Sequence, residues 1–162
     1  MKYFADHMLG RLVVWMRMIG CDVAYDPVLK DEELIDRADR EERIILTRDT
    51  HLIRRKKVRD NYFFIRGDSY KNQLFQVIKQ FSIDPYRGFL TRCLRCNLPL
   101  ARIEKQGLKE RIFPYVYSTQ TTFYTCPGCQ RIYWPATHKT RMIQQLEEIL
   151  SEGEIQDAGK NP

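Results

Sequence analysis

The sequence predicts an α/β protein: a parallel sheet flanked by helices, followed by a small C-terminal ribbon with a closing helix. Two observations carry this reading. Short apolar runs alternate with amphipathic stretches through residue 82, the pattern of strand–helix units. After the Pro- and Gly-bearing stretch "SIDPYRG" (82–88) the character changes to paired cysteines and clustered aromatics.

The first strand is "KYFA" (2–5). A helix follows over "MLGRLVVWMRMIG", with Leu9, Leu12, Val13, Met16 and Ile19 at helical spacing and Gly20 as its C-terminal cap. "DVAYD" (22–26) is a second strand. The helix over 30–43 has an acidic first turn, which suits the helix dipole, and an apolar stripe of Leu34, Ile35 and Ala38. "RIILT" is a third strand, "DTHLIRRKK" a short helix, and "YFFIR" (62–66) a fourth strand. The helix over 69–82 turns Leu74, Phe75, Val77, Ile78 and Phe81 inward. Beyond residue 88, "VYSTQTTFYTC" and "QRIYW" read as ribbon strands. The closing helix "THKTRMIQQLEEILSE" has Thr137 as its cap, with Met142, Leu146, Ile149 and Leu150 on its apolar side. The expected division is 1–85 for the sheet domain, 89–150 for the ribbon and closing helix, and 151–162 for a flexible tail.

A chain of 162 residues is enough for one to two small domains with a buried core. With 43% apolar and 30% charged residues it is not a disordered chain. It has no run of 18 apolar residues, and its first ten lack the apolar core of a secretory signal. A cytoplasmic protein that does not span a membrane is expected. The net charge is +6, with pI near 9.1. Residues 1–88 contribute +3 (17 basic, 14 acidic), 89–150 contribute +5 (9 and 4), and the last twelve −2 (1 and 3). The ribbon is thus the more basic segment for its length, a lean toward polyanionic partners.

Of the five cysteines, four form "CLRC" (Cys93, Cys96) and "CPGC" (Cys126, Cys129). A two-residue gap lets one tight turn present two thiolates to one ion, and two such turns make a four-thiolate zinc site. Disulfides, an iron–sulfur cluster and a redox dithiol are the competing readings. Disulfides do not suit a cytoplasmic chain, and a redox pair needs no second pair. Four protein ligands leave no open position, so this Zn2+ is expected to be structural. Cys21, beside Gly20, reads as a small buried residue.

Ligands of a parallel α/β sheet gather at the carboxyl ends of its strands. Asp6 follows the first strand, Asp26 ends the second, Asp49 follows the third and Asp68 the fourth; Asp31 opens a helix on the same edge. Any one of them could be no more than a helix cap. Together, Asp6, Asp31 and Asp49 need a counter-charge, and Mg2+ or Mn2+ supplies one through oxygen ligands. Such a site can activate water against a phosphodiester. Asp68 is a candidate further ligand. Thr47 could orient a carboxylate or a water. Arg48 could meet a phosphate, as could Arg11 and Arg17 on the first helix and Arg54 and Arg55 in "RRKK". His7 stands beside Asp6, with an assisting role in the chemistry or simple solvation both open.

The segments "FADHMLGRLVVWMRMIGCDVAYD", "DEELIDRADREERIILTRD", "CLRCN" and "CPGCQRIYWPATHKTRM", in this order, resemble the Mut-7 C-terminal RNase domain family. These are PIN-like nuclease domains with an appended zinc ribbon. The resemblance runs over roughly residues 2 to 150 and implies a PIN-like fold and metal-dependent RNA hydrolysis. It implies that Asp6 is the acid after the first strand, Asp49 the acid of "TRD", and Asp31 the acid before it, with Glu32, Glu33 or Asp36 able to share that role. The fourth acid is the weakest match, with Asp68 its candidate. This chain has His7 where the family commonly has a small residue.

The resulting expectation is an RNA-cleaving enzyme with catalytic Mg2+ or Mn2+ and structural Zn2+. The basic ribbon, with Tyr115, Tyr117, Phe123, Tyr124, Tyr133 and Trp134, grips the strand or packs those rings as its own core. The alternative is a non-catalytic RNA-binding protein of PIN-like fold, associated with tRNA or ribosomes. A phosphoacceptor resembling a response-regulator receiver is less well supported, because that fold has two adjacent acids after its first strand and here Asp6 adjoins His7.

Overall fold

The computed structural model describes residues 1–58, 61–135 and 138–158, which fall in two compact units, Met1–Asn97 and Leu98–Pro162. In the first unit, β1 (Lys2–Ala5), β2 (Asp22–Tyr25), β3 (Ile44–Thr47) and β4 (Tyr62–Phe64) make one sheet in the order β2-β1-β3-β4. Every neighbouring pair is parallel. Helices α1 (Gly10–Met18), α2 (Asp31–Arg40), α3 (Thr50–Ile53) and α4 (Tyr70–Gln80) complete the α/β unit that the alternation predicts.

Successive side chains on a strand point to opposite faces, so the sheet buries two layers. Phe4, Ala24 and Ile45 pack with Leu34, Ile35 and Ala38 of α2 and Leu52 of α3. Tyr3 and Phe63 lie on the other face, where Phe81 meets both edge-on with ring centroids 5.1 and 5.5 Å away. There α1 contacts α4, and Trp15 stacks on Tyr70. α1 buries Leu12, Val13, Trp15, Met16, Arg17 and Met18, nearly its whole circumference. Its expected apolar side was therefore too narrow.

The first unit runs on past 82–88 and takes in the first cysteine pair. The reason is a close backbone approach. Gly20 ends the helix region at φ +90°, and a Cβ there would sit 2.4 Å from the Gly88 carbonyl oxygen. Leu90 N–H then bonds Met18 O at 2.7 Å. Glycine at position 20 meets both a left-handed dihedral and a contact with no room for a side chain.

The second unit holds an antiparallel sheet, β5 (Ala101–Ile103), β6 (Phe123–Thr125) and β7 (Ile132–Tyr133), in that order. The expectation of a strand through "VYST" is corrected: residues 114–119 form α5 (Pro114–Thr119). Pro114 sits in its first turn, where a missing N–H costs nothing. The Ser118 and Thr119 hydroxyls bond back to Tyr115 O at 2.9 and 2.8 Å, a local alternative to strand pairing. β5 supplies the missing ribbon strand. The closing helix is α6 (His138–Ala158), with Leu146 and Ile149 buried. It continues to Ala158, into the stretch 151–162 read as a flexible tail. Thr137, the expected cap, lies outside the described residues. Among the described residues no helix is long and apolar enough to cross a membrane.

Gly20→Ala is expected to lower stability by about 1–3 kcal/mol from backbone strain alone. Gly107, which has open space around its Cβ position, should accept Ala within about 0.5 kcal/mol. Urea unfolding of both variants checks the difference, and an unchanged midpoint for Gly20→Ala would refute the close approach.

Candidate functional site

The sheet order fixes where a site can form. From β1 the chain moves to β2 on one side, then crosses to β3 on the other. The β1/β3 junction is the topological switch point, where the carboxyl ends of strands open a crevice. Asp6 leaves β1 at this junction and Asp49 follows β3. The ladder reaches the site itself, because Asp6 N–H donates to Leu46 O at 2.9 Å.

Asp6 is 1% exposed, and a buried carboxylate needs partners. Its Oδ1 accepts from His7 N and lies 2.6 Å from His7 Nδ1. Its Oδ2 accepts from the Thr47 hydroxyl at 2.8 Å. The same Thr47 Oγ1 accepts from Asp49 N–H at 2.9 Å. One buried hydroxyl thus ties the Asp6 carboxylate to the Asp49 backbone, so Thr47 orients a carboxylate, as its position in the sequence allows. Asp49 Oδ1 accepts from His51 N at 2.7 Å and caps α3. Asp6 caps the 3-10 turn His7–Leu9 in the same way. Capping is therefore real for both acids, and it fixes their rotamers.

The other acids stand differently. Asp31 Oδ2 pairs with Arg55 Nη2 at 3.1 Å, and Glu32 Oε1 with Arg55 Nη1 at 3.3 Å. Asp68, with a 91% exposed side chain, pairs with Arg48. Asp26 Oδ1 accepts from Val28 N in its own turn. So the fold brings the Asp6 carboxylate and the Asp49 backbone onto one hydroxyl, holds Asp31 on the Arg55 guanidinium, and pairs the exposed Asp68 with Arg48. Arg11 lies over the Tyr70 ring at 5.9 Å, and Arg54 is exposed.

Arg17, read from sequence as an RNA contact, is corrected. It is 5% exposed and its guanidinium is consumed inside the first unit. Nε and Nη2 donate to Val23 O at 3.1 and 2.8 Å, and Nη1 to Leu94 O and Arg95 O at 2.9 Å each. Burial lowers its pKa, against the opposing pull of Cys93 and Cys96. Sequence reasoning also missed the neighbours. Asn97 accepts from Val23 N through Oδ1 and donates to Asp22 Oδ1 through Nδ2. Arg43 donates to Asp22 Oδ1 at 2.7 Å, and Arg92 donates to Gly20 O. Burial alone would raise the Asp22 carboxyl, yet the bonds from Arg43 and Asn97 hold it below its ordinary value. These residues fasten the first cysteine turn to β2. Their one signal in the sequence was the Asn after "CLRC".

The two cysteine turns have matching geometry. Asn97 N–H bonds Cys93 O at 2.9 Å and Gln130 N–H bonds Cys126 O at 2.8 Å. Asn97 and Gln130 both take left-handed dihedrals, φ 64° and 57°. The Sγ atoms of Cys93, Cys96, Cys126 and Cys129 all lie within 4.8 Å of one another. Tetrahedral Zn–S bonds of about 2.3 Å place sulfurs about 3.8 Å apart, so the quartet fits one ion. Among the described residues it is the one group of three or more potential ligands gathered in this way. Cys21 stands apart, its thiol pushed up to about 11 chiefly by burial.

Arg17→Met should destabilise the first unit by about 1–3 kcal/mol for each buried carbonyl left unpaired. Arg17→Lys should recover only part of this, because an ammonium lacks the planar fork that reaches Val23, Leu94 and Arg95 together. Arg54→Ala, at an exposed position, should stay within about 0.5 kcal/mol. Denaturant midpoints of the three variants decide the matter.

The family model described as the Mut7-C RNAse domain matches residues 1–146. No curated protein and no solved structure matches the chain. With both the sheet unit and the four cysteines inside the matched span, the chain belongs to the Mut7-C RNAse domain family.

Proposed function

We propose that this protein is a metal-dependent ribonuclease of PIN-like fold that hydrolyses RNA phosphodiester bonds at the β1/β3 edge. The observation that carries the reading is the buried Thr47 hydroxyl, bonded to the Asp6 carboxylate and to the Asp49 backbone N–H at the switch point. These bonds orient the Asp6 carboxylate and fix the backbone from which Asp49 projects, so acids from two strands are held at one edge. Membership of an RNAse domain family supports RNA as the substrate.

Asp6, Asp49 and Asp31 are the residues that would hold Mg2+ or Mn2+, with Asp68 a further candidate. Their carboxylate oxygens are the hard donors these cations prefer. A bound cation supplies an activated water and charge balance at the phosphodiester. The chain's own residues do the positioning. Thr47 and His7 hold Asp6 by both oxygens, so its carboxylate cannot rotate freely. Among the described residues Asp49 Oδ2 has no protein hydrogen-bond partner, which leaves a donor on the accessible side of the pair. Arg55 neutralises Asp31 and Glu32 in the absence of a cation. Arg11, Arg48, Arg54 and Arg55 are the cations offered to RNA phosphates.

The cysteine quartet would hold Zn2+ as a structural ion, since four protein thiolates close its coordination sphere. The ribbon around it then aids RNA binding.

Cleavage of a labelled single-stranded RNA should appear with added Mn2+ or Mg2+ and vanish in Asp49→Asn. Activity that persists in Asp49→Asn, or none in the native protein with either metal, would sink the nuclease reading in favour of a non-catalytic RNA-binding protein. Thr47→Val, which keeps the shape and removes the hydroxyl, should cost about 10–100-fold in metal affinity or activity. Separately, elemental analysis of protein purified without chelator should give one zinc per chain, and a value near zero would remove the structural ion.

A further inference from the structure

α5 differs from the other described helices, each of which buries at least one residue. It buries no residue, yet its start displays two large rings. Phe113, the residue before it, and Tyr115, in its first turn, are each 77% exposed, the most exposed of the described aromatics. Phe123 in the same unit is 1% exposed, so the ribbon has a core and these rings are outside it. Core packing therefore does not account for them. Nor does chance exposure of a single apolar residue, because two exposed rings stand two positions apart at the start of α5.

We propose that Phe113 and Tyr115 form a stacking surface for single-stranded RNA, flanked by Lys105, Lys109 and Arg111. The proposal deepens the reading above and rests on RNA being the partner. The charge around the rings fits it. Between residues 101 and 135 five cations (Arg102, Lys105, Lys109, Arg111, Arg131) stand against two carboxylates (Glu104, Glu110), a balance of +3. Lys105 Nζ lies 4.8 Å from the Tyr117 ring centroid, which places one of these cations against α5. Aromatic faces beside Lys and Arg match a strand that offers bases on one side and phosphates on the other. A duplex hides its base faces in its own stack, so the occupant is a single strand. A protein partner would account for the rings and Arg111 but not for Lys105 and Lys109, since lysine is depleted at protein–protein interfaces.

The test is the affinity of a fluorescein-labelled oligouridine, read by anisotropy in the Asp49→Asn chain without added Mg2+ or Mn2+. Phe113→Ser and Tyr115→Ser should each weaken binding by about 5- to 150-fold, the range measured for loss of one base-stacking ring. Phe113→Tyr and Tyr115→Phe should bind as the parent does. A matching RNA duplex should bind the Ser variants and the parent alike. Thermal midpoint and zinc content confirm that each variant is folded. Ser variants that bind the oligouridine within twofold of the parent would overturn the proposal. So would equal losses for duplex and single strand, which indicate charge without stacking. A change in sedimentation velocity with unchanged RNA affinity would assign the rings to contact between copies and also overturn it. Ring-dependent binding in a protein that cleaves nothing would uphold the surface while the nuclease reading fails.

Discussion

The parallel pairing of β1 with β3 is the constraint on which the site depends. Strands joined through other elements must be brought side by side, and the ladder that does so ends at Asp6 N–H on Leu46 O. Because the ladder fixes the backbone on both sides of the junction, Thr47 arrives within reach of Asp6 on one strand and of Asp49 on its own. The apolar run Ile44–Leu46 anchors that geometry: Ile45 and Leu46 are buried, and Phe4 and Ala5 lie beside them. Slipping the pairing by one residue would turn Thr47 and every core side chain to the wrong face.

A second constraint is polar. The first unit holds the "CLRC" turn by hydrogen bonds in which Arg17 and Arg92 donate and Asn97 accepts. Backbone carbonyls in a tight turn cannot pair with one another, and a buried carbonyl without a partner is costly. A planar guanidinium meets several at once, which is why an arginine occupies the buried face of α1. The first cysteine turn thereby belongs to the α/β unit, although the sequence divides them at a Pro- and Gly-bearing stretch.

The two candidate sites divide the chemistry. Oxygen donors at the β1/β3 edge suit a hard cation that keeps water ligands, and thiolates in the paired turns suit Zn2+. The ribbon adds no such donor set of its own among the described residues; what it offers outward is aromatic and basic surface on and around α5.

By itself the sequence determined the α/β class, the four parallel strands and the four cysteines, because periodicity and spacing are local properties that folding leaves unchanged. It also marked Asp6, Thr47 and Asp49 as neighbours of strand ends. Alternating residues in "VYST" imitated a strand, and only the tertiary structure turned them into α5, since Pro114 and the Ser118 and Thr119 hydroxyls offer the backbone a local helix while β5 satisfies β6 from far away in sequence. Arg17 looked like any helix-surface cation; its burial follows from carbonyls 77 and 78 residues further along the chain. Asp31 was assigned to the same edge as Asp6, and its pairing with Arg55 depends on where α3 leads the chain. The sequence chose which groups could meet, and the tertiary structure decided which ones do, because hydrogen bonds and ion pairs form between residues that the fold, not chain proximity, brings within 3 Å of each other.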